Sequence, residues 1–355
     1  MTKKLSMAAS GLLLSTTMAF SADSIDNAFK EGTISGSLTA YALEHDGKGS
    51  ASDTDSGFAT INLGYETASY MGLTAKAGFE AGHGLSDGTL ANDALMTEAY
   101  VRYANEMFSL TVGRQAIDLE WLGDYNEAVV AGITAIPDTT IVLGYVNQQA
   151  AADEDEIGDF SDLGVKDGAY VVDAKYTGFN GIELNPYFYS AVDVADFYGL
   201  KATYTADMFG AVAHYAASSE DVGSDGSIGH IEVNTSLSGV SAALGYIKTD
   251  DTAGVGSIAT YGDNITPFDN GGDNYAIDAK TTYGSLGYSI GAVDLGALYG
   301  ETDFAANSES NELNLSAGYS FTDSLSLGLL YVDYDLEGSS LSDYKEYSAT
   351  LAYSF

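Results

Sequence analysis

The sequence predicts an all-β chain closed into a transmembrane antiparallel barrel of about 18 strands. Three observations carry this. Apolar and polar residues alternate in segments of ten or so residues from Thr33 to the end, aromatic residues cluster at segment ends, and every second connection is a tight turn.

The first residues stand apart. Lys3 and Lys4 open the chain, an apolar run follows from Leu5 to Phe20, and Ala19 and Ser21 are small residues at the cleavage-recognition positions. That is the build of a secretory leader over residues 1–21, too short and too quickly ended to span a bilayer as a helix. Residues 22–32 follow as a short periplasmic segment, and 33–355 form a single barrel domain. No later run approaches the roughly 18 apolar residues of a spanning helix.

Composition narrows the classes. Gly (41) and Tyr (26) are abundant, Pro (3) is scarce and Cys is absent, so a disulfide framework is ruled out and an extensive hydrogen-bonded structure must supply stability. The formal charge of −38 excludes nucleic acid as a partner, because polyphosphate binding needs a basic face.

Strands are expected near 33–43, 56–68, 72–82, 94–104, 107–116, 127–136, 139–148, 168–177, 181–191, 195–206, 208–218, 228–237, 239–249, 276–289, 292–302, 311–321, 324–334 and 345–355. The last is the clearest: Tyr347, Ala349, Leu351, Tyr353 and Phe355 alternate with Ser348, Thr350, Ala352 and Ser354. A soluble sandwich and a membrane barrel both alternate in this way. The aromatics favour the barrel. Tyr347 and Phe355 lie roughly 26 Å apart along the strand, or about 20 Å of membrane depth after tilt, as two aromatic girdles require. So do the connections, which are tight at Ser69-Tyr70-Met71, Asn105-Glu106, Pro137-Asp138, Gly178-Phe179-Asn180, Asp207, Ser238, Gly291 and Thr322-Asp323, and mostly long and acidic between. Short periplasmic turns opposite long outer loops are the asymmetry of a bacterial outer-membrane barrel. Phe355 closes the chain inside an amphipathic strand, the kind of end that the barrel-assembly machinery of that membrane reads.

Three blocks resemble a known family. The first is Ser24-Ile25-Asp26-Asn27-Ala28-Phe29-Lys30-Glu31-Gly32-Thr33-Ile34-Ser35-Gly36. The second is Glu98-Ala99-Tyr100-Val101-Arg102-Tyr103 with Leu110-Thr111-Val112-Gly113-Arg114-Gln115 and Trp121, and the third is Tyr353-Ser354-Phe355. They resemble the Campylobacter-type major outer-membrane porins and their OprD-like relatives. The resemblance implies an 18-stranded barrel, usually trimeric, passing ions and small solutes with a bias to cations.

A channel of this kind has no bond to make or break, so no catalytic residue is expected; charges at the narrowest point set selectivity. Alternation points Lys76, Glu80, Glu98, Arg102, Asp173, Lys175 and Lys201 to the lumen. Arg114 is a further candidate, although it shares parity with the apolar Phe108, Leu110 and Val112. The loop from Asp118 to Glu127 has two readings: it folds inward and turns Glu120, Asp124 and Glu127 toward the Lys76/Arg102 wall, with Asp118 beside them, or it is a solvated surface loop. In the next long loop, Asp153, Asp155 and Asp159 suit a diffuse divalent site, Ca²⁺ above all, or a bridge to lipopolysaccharide phosphates; a solvated charge run is the plainer reading. No other cofactor is expected. His45, His83, His214 and His230 have no metal-ligand spacing.

Two other functions compete. A surface adhesin or receptor would show aromatic outer loops, for which Tyr261 to Tyr275 with Pro267-Phe268 is the candidate. A barrel phospholipase would need a histidine at the lipid-facing rim, for which His214 is the loose candidate.

Overall fold

The computed structural model describes residues 22–48, 52–163, 168–262, 265–305, 308–337 and 343–355. The expected leader, 1–21, lies outside the described residues. The expected segment 22–32 holds a short helix, α1 (Ile25–Lys30), capped by Ser24, whose hydroxyl accepts from the Asn27 N–H at 3.2 Å.

The strands are β1 (Thr33–Gly47), β2 (Thr54–Glu66), β3 (Leu73–Ser86), β4 (Ala94–Ala104), β5 (Phe108–Ala116), β6 (Tyr125–Ile133), β7 (Thr139–Ala150), the two-residue β8 (Ser161–Asp162), β9 (Ala169–Phe179), β10 (Ile182–Ala191), β11 (Ala195–Thr205), β12 (Phe209–Glu220), β13 (Gly226–Leu237), β14 (Val240–Thr249), β15 (Lys280–Ile290), β16 (Val293–Phe304), β17 (Ser308–Ser320), β18 (Leu325–Leu336) and β19 (Tyr344–Ser354). Each pairs antiparallel with its neighbour, β7 with β9, and β19 with β1. β8 only lengthens the edge of β7, so the wall is a closed ring of 18 strands. Closure leaves no open edge, which a lipid solvent would punish at several kcal/mol for each unpaired backbone group. Phe355 sits at the seam, where it and Gly36 exchange two backbone hydrogen bonds of 3.0 Å.

Turn chemistry explains the rhythm. Met71-Gly72 (φ 53 and 86) and Ser238-Gly239 (φ 52 and 83) adopt the left-handed pairs that let two-residue hairpins follow the strand twist. The opposite rim mixes short and long connections. Those at 192–194 and 221–225 are short, whereas 151–160 and 250–279 are long.

The outward face carries the exposed apolar residues Leu63, Phe79, Val101, Leu244, Leu286 and Leu351. Aromatic pairs border it at both ends. Tyr331–Tyr347 (5.1 Å between centroids) and Tyr145–Tyr170 (5.2 Å) lie toward the loop rim; Tyr319–Phe321 (4.8 Å) and Tyr204–Phe209 (5.7 Å) lie toward the turns. Two girdles around an apolar band match a bilayer's two interfaces.

Candidate functional site: a lumen narrowed by inward loops

The inside of the ring is where function must lie, and one half of it is filled. After β5 the chain does not leave the barrel. Residues 117–124 form a miniature hairpin, with Ile117 N–H bonded to Asp124 O (3.0 Å) and Leu119 N–H to Leu122 O (2.9 Å). Its apolar side chains Ile117, Leu119, Trp121 and Leu122 pack on Val130, Val142, Val146, Val171 and Phe197 of the inner wall. Burying one large apolar side chain is worth about 1.5–3 kcal/mol, and Trp121 is fully buried. Directional bonds fix the pose. The Trp121 indole N–H donates to Tyr187 Oη (2.8 Å), and Tyr187 Oη bonds His214 Nε2 (2.8 Å).

The 250–279 loop enters from the other side. Val255, Ile258, Tyr261, Ile265 and Phe268 join the same apolar cluster. The two loops meet at Gly262, where an added Cβ would lie 2.9 Å from the Trp121 backbone. The 151–160 loop also turns inward: Ile157 is fully buried against Gly82, and its carbonyl accepts from Asn92 Nδ2 (3.1 Å).

Against this frame the predicted residues separate. Lys76 and Glu98 form an inward ion pair of 2.6 Å, and Glu80 accepts from Asn62 Nδ2 (2.6 Å). Arg102 shares their face, its Nε buried without a hydrogen-bond partner. Lys175 also has inward parity on β9, on the face of Asp173. Asp173 points inward but is sealed from water: its carboxylate accepts from Asn185 Nδ2 (2.7 Å) and the Tyr189 hydroxyl (2.8 Å).

Several expectations need correction. Glu120 does not face the Lys76/Arg102 wall; both its oxygens accept from Lys201 Nζ, at 3.0 and 3.1 Å, on β11. The reason is the hairpin's apolar side chains, which seek the valine-lined wall and take Glu120 with them. Asp118 and Asp124 are the acids of that hairpin left exposed. Arg114 and Glu127 are not on the lumen side. They are register partners on the face of Val112 and Val129, where they pair at 3.4 Å with Phe160 over the guanidinium at 4.1 Å. Gln115, Asn126 and Gln149 take the inward positions beside them, Gln149 Nε2 donating to Gly123 O at 2.9 Å. Asp153, Asp155 and Asp159 do not converge: Asp153 caps its own turn by accepting from the Asp155 and Glu156 N–H groups at 3.1 and 2.9 Å. Among the described residues no three His, Asp or Glu side chains gather in a metal-binding group. His214 is buried in the lumen, not at a lipid-facing rim, and Tyr261 and Phe268 are buried too.

Sequence reasoning missed Tyr187, Tyr189, Asn185, Glu312 and Glu346. Their inward parity was legible; their engagement with loops was not.

Comparison with known proteins agrees with this geometry. No curated relative matches by sequence. Among solved structures the chain is similar to OpdO of Pseudomonas aeruginosa (16% identity, TM-score 0.80, covering 93% of this chain and 98% of that one). It is similar to OccAB4 of Acinetobacter baumannii (16%, 0.77, 91% and 98%) and to OpdK of Pseudomonas aeruginosa solved with vanillate (14%, 0.76, 92% and 99%). These folds agree with the OprD-like side of the sequence resemblance. The family model for Gram-negative porins matches residues 8–355, and with the closed 18-strand ring and loop-narrowed lumen this makes the chain a member of that family, a channel of the bacterial outer membrane.

Proposed function

We propose that this porin is a passive diffusion channel that favours cations and small hydrophilic solutes. One observation carries the reading. The inward face bears Glu66, Glu80, Glu98, Glu232, Glu312 and Glu346 against Lys76, Arg102, Lys175 and Lys201, of which Lys76 and Lys201 are already paired with carboxylates. A low-dielectric wall of net charge concentrates the opposite ion, so the excess of carboxylates raises the cation population of the lumen. The OpdK structure holds vanillate, an aromatic carboxylate. The acid excess here opposes an anion of that kind.

The test is the zero-current potential of the purified protein in a planar bilayer under a KCl gradient. A potential of the sign for K⁺ over Cl⁻ is expected, larger at low salt because screening is weaker there. A potential of the opposite sign overturns the proposal. An adhesin loses its main support, since the aromatic residues that suggested one, Tyr261 and Phe268, face the interior.

A further inference from the structure

We infer that α1 is an interfacial anchor, lying outside the barrel with Ile25 and Phe29 in the phospholipid of the periplasmic leaflet. The inference rests on the membrane-barrel fold and does not need the ion-preference reading.

The segment is fastened at the rim of short turns, which is the periplasmic one. Ala22 N–H donates to Ser69 O (2.8 Å) and Ala68 N–H donates to Ala28 O (2.9 Å), so the segment runs along the β2–β3 turn with Ala28 buried. A side chain then fixes which side of the wall it takes. Tyr65 lies two residues beyond Leu63 on the outward face of β2, opposite Ile34 in register. Its hydroxyl donates to Phe29 O, and a Cβ at Gly32 would overlap that same hydroxyl. The end of the helix is therefore held by a lipid-facing tyrosine.

Ile25 and Phe29 are four residues apart, hence on one helix face, and are 61% and 59% exposed. Continuity says what covers them. Ile34 on β1 and Leu73 on β3 are exposed apolar residues of the outward face at this rim, and the ring of Phe355 lies beside Gly36. The two helix residues extend that band one step past the strand ends. Asp26, Lys30 and Glu31 are exposed too, as the headgroup layer allows.

Six residues are too few for a stable helix in water, and too few to seek a bilayer unaided. Here the Ser24 cap and the bonds to Ser69, Ala68 and Tyr65 supply both the fold and the height. Two side chains are also far less than the roughly 800 Å² that each partner buries in a stable protein interface. Lipid makes no such demand.

Fluorescence quenching tests this. Trp121 is the only tryptophan of the chain and is fully buried, so an added one reports its own surroundings once the wild-type emission is subtracted. Phe29→Trp is compared, in phosphatidylcholine bicelles, with Leu244→Trp in the outward apolar band and Val222→Trp in an outer connection. Lipid brominated near the headgroup end of its chains should remove most of the emission added by Phe29→Trp. Lipid brominated near the chain end should remove less, because an interfacial helix lies only about 5–10 Å into the boundary; Leu244→Trp should show the reverse order. Aqueous acrylamide should quench Phe29→Trp far less than Val222→Trp. Quenching by acrylamide as strong as at Val222→Trp overturns the inference and leaves α1 in water. Shielding from acrylamide and bromolipid alike overturns it in favour of a protein contact. Should Phe29→Trp fail to fold, Ile25→Trp on the same helix face is read by the same outcomes. No current is measured, so failure here is separate from failure of the channel proposal.

Discussion

The two halves of the inner wall follow the same alternation and end in opposite states. From β6 to β15 the inward residues Val130, Val146, Val171, Phe197, Ile228 and Ile247 are buried beneath the inward loops in a dry apolar cluster. From β17 round to β4 the inward residues are largely polar or charged: Asn314, Glu346, Ser348, Asn62, Glu80, Lys76, Glu98 and Arg102. Alternation assigns a side chain to a face. What that face meets, water or a loop, is decided by what the loops carry. The 117–124 hairpin is half apolar, so it dries the wall that is apolar and leaves the charged wall for the pore.

This contrast can be broken most severely at Trp121. Trp121→Ala should remove the hairpin's anchor and leave Tyr187 Oη without its indole donor. A loss of about 3–5 kcal/mol is expected from the large-to-small change, read as a lower unfolding temperature. Single-channel conductance should rise as the hairpin loosens; unchanged conductance would show that the hairpin does not limit the pore.

Next in size is the charged half. Glu80→Gln combined with Glu98→Gln removes two inward carboxylates and frees Lys76 from its partner. The zero-current potential should move toward zero, and a potential equal to the wild type's would sink the idea that this wall sets ion preference.

Replacing Lys201 with Met tests the seam between the halves. It leaves Glu120 in a mostly buried position without its cation. Because Lys201 is itself about a third exposed, the cost should fall below that of a fully buried pair, on the order of 1–2 kcal/mol. Denaturant or thermal midpoints report it.

The smallest effect is expected outside the lumen. Arg114→Ala with Glu127→Ala removes a partly exposed outward pair worth about 0–1 kcal/mol, and should leave conductance and ion preference as they are. A shift in either would return the pair to the pore.

How far the sequence reached depends on how local each signal is. Strand positions were legible to within a few residues, as β2 (54–66 against an expected 56–68) and β15 (280–290 against 276–289) show, because a period of two is written in neighbouring residues. The inward set Lys76, Glu80, Glu98 and Arg102 followed from the same parity. Arg114 went astray where its charge was weighted above its parity, and Glu127 because it was read as the end of the loop when it already belongs to β6. Glu120 was assigned to the wrong wall because nothing near it in sequence names Lys201, eighty-one residues on.

By itself, then, the sequence determined an exported, cysteine-free, antiparallel ring with an apolar exterior, because backbone satisfaction in lipid and two-residue alternation leave little else. Only the tertiary structure decided which half of that ring stays wet. That choice depends on long-range packing of Trp121, Phe268 and their neighbours, contacts between residues whose separation along the chain carries no periodic trace.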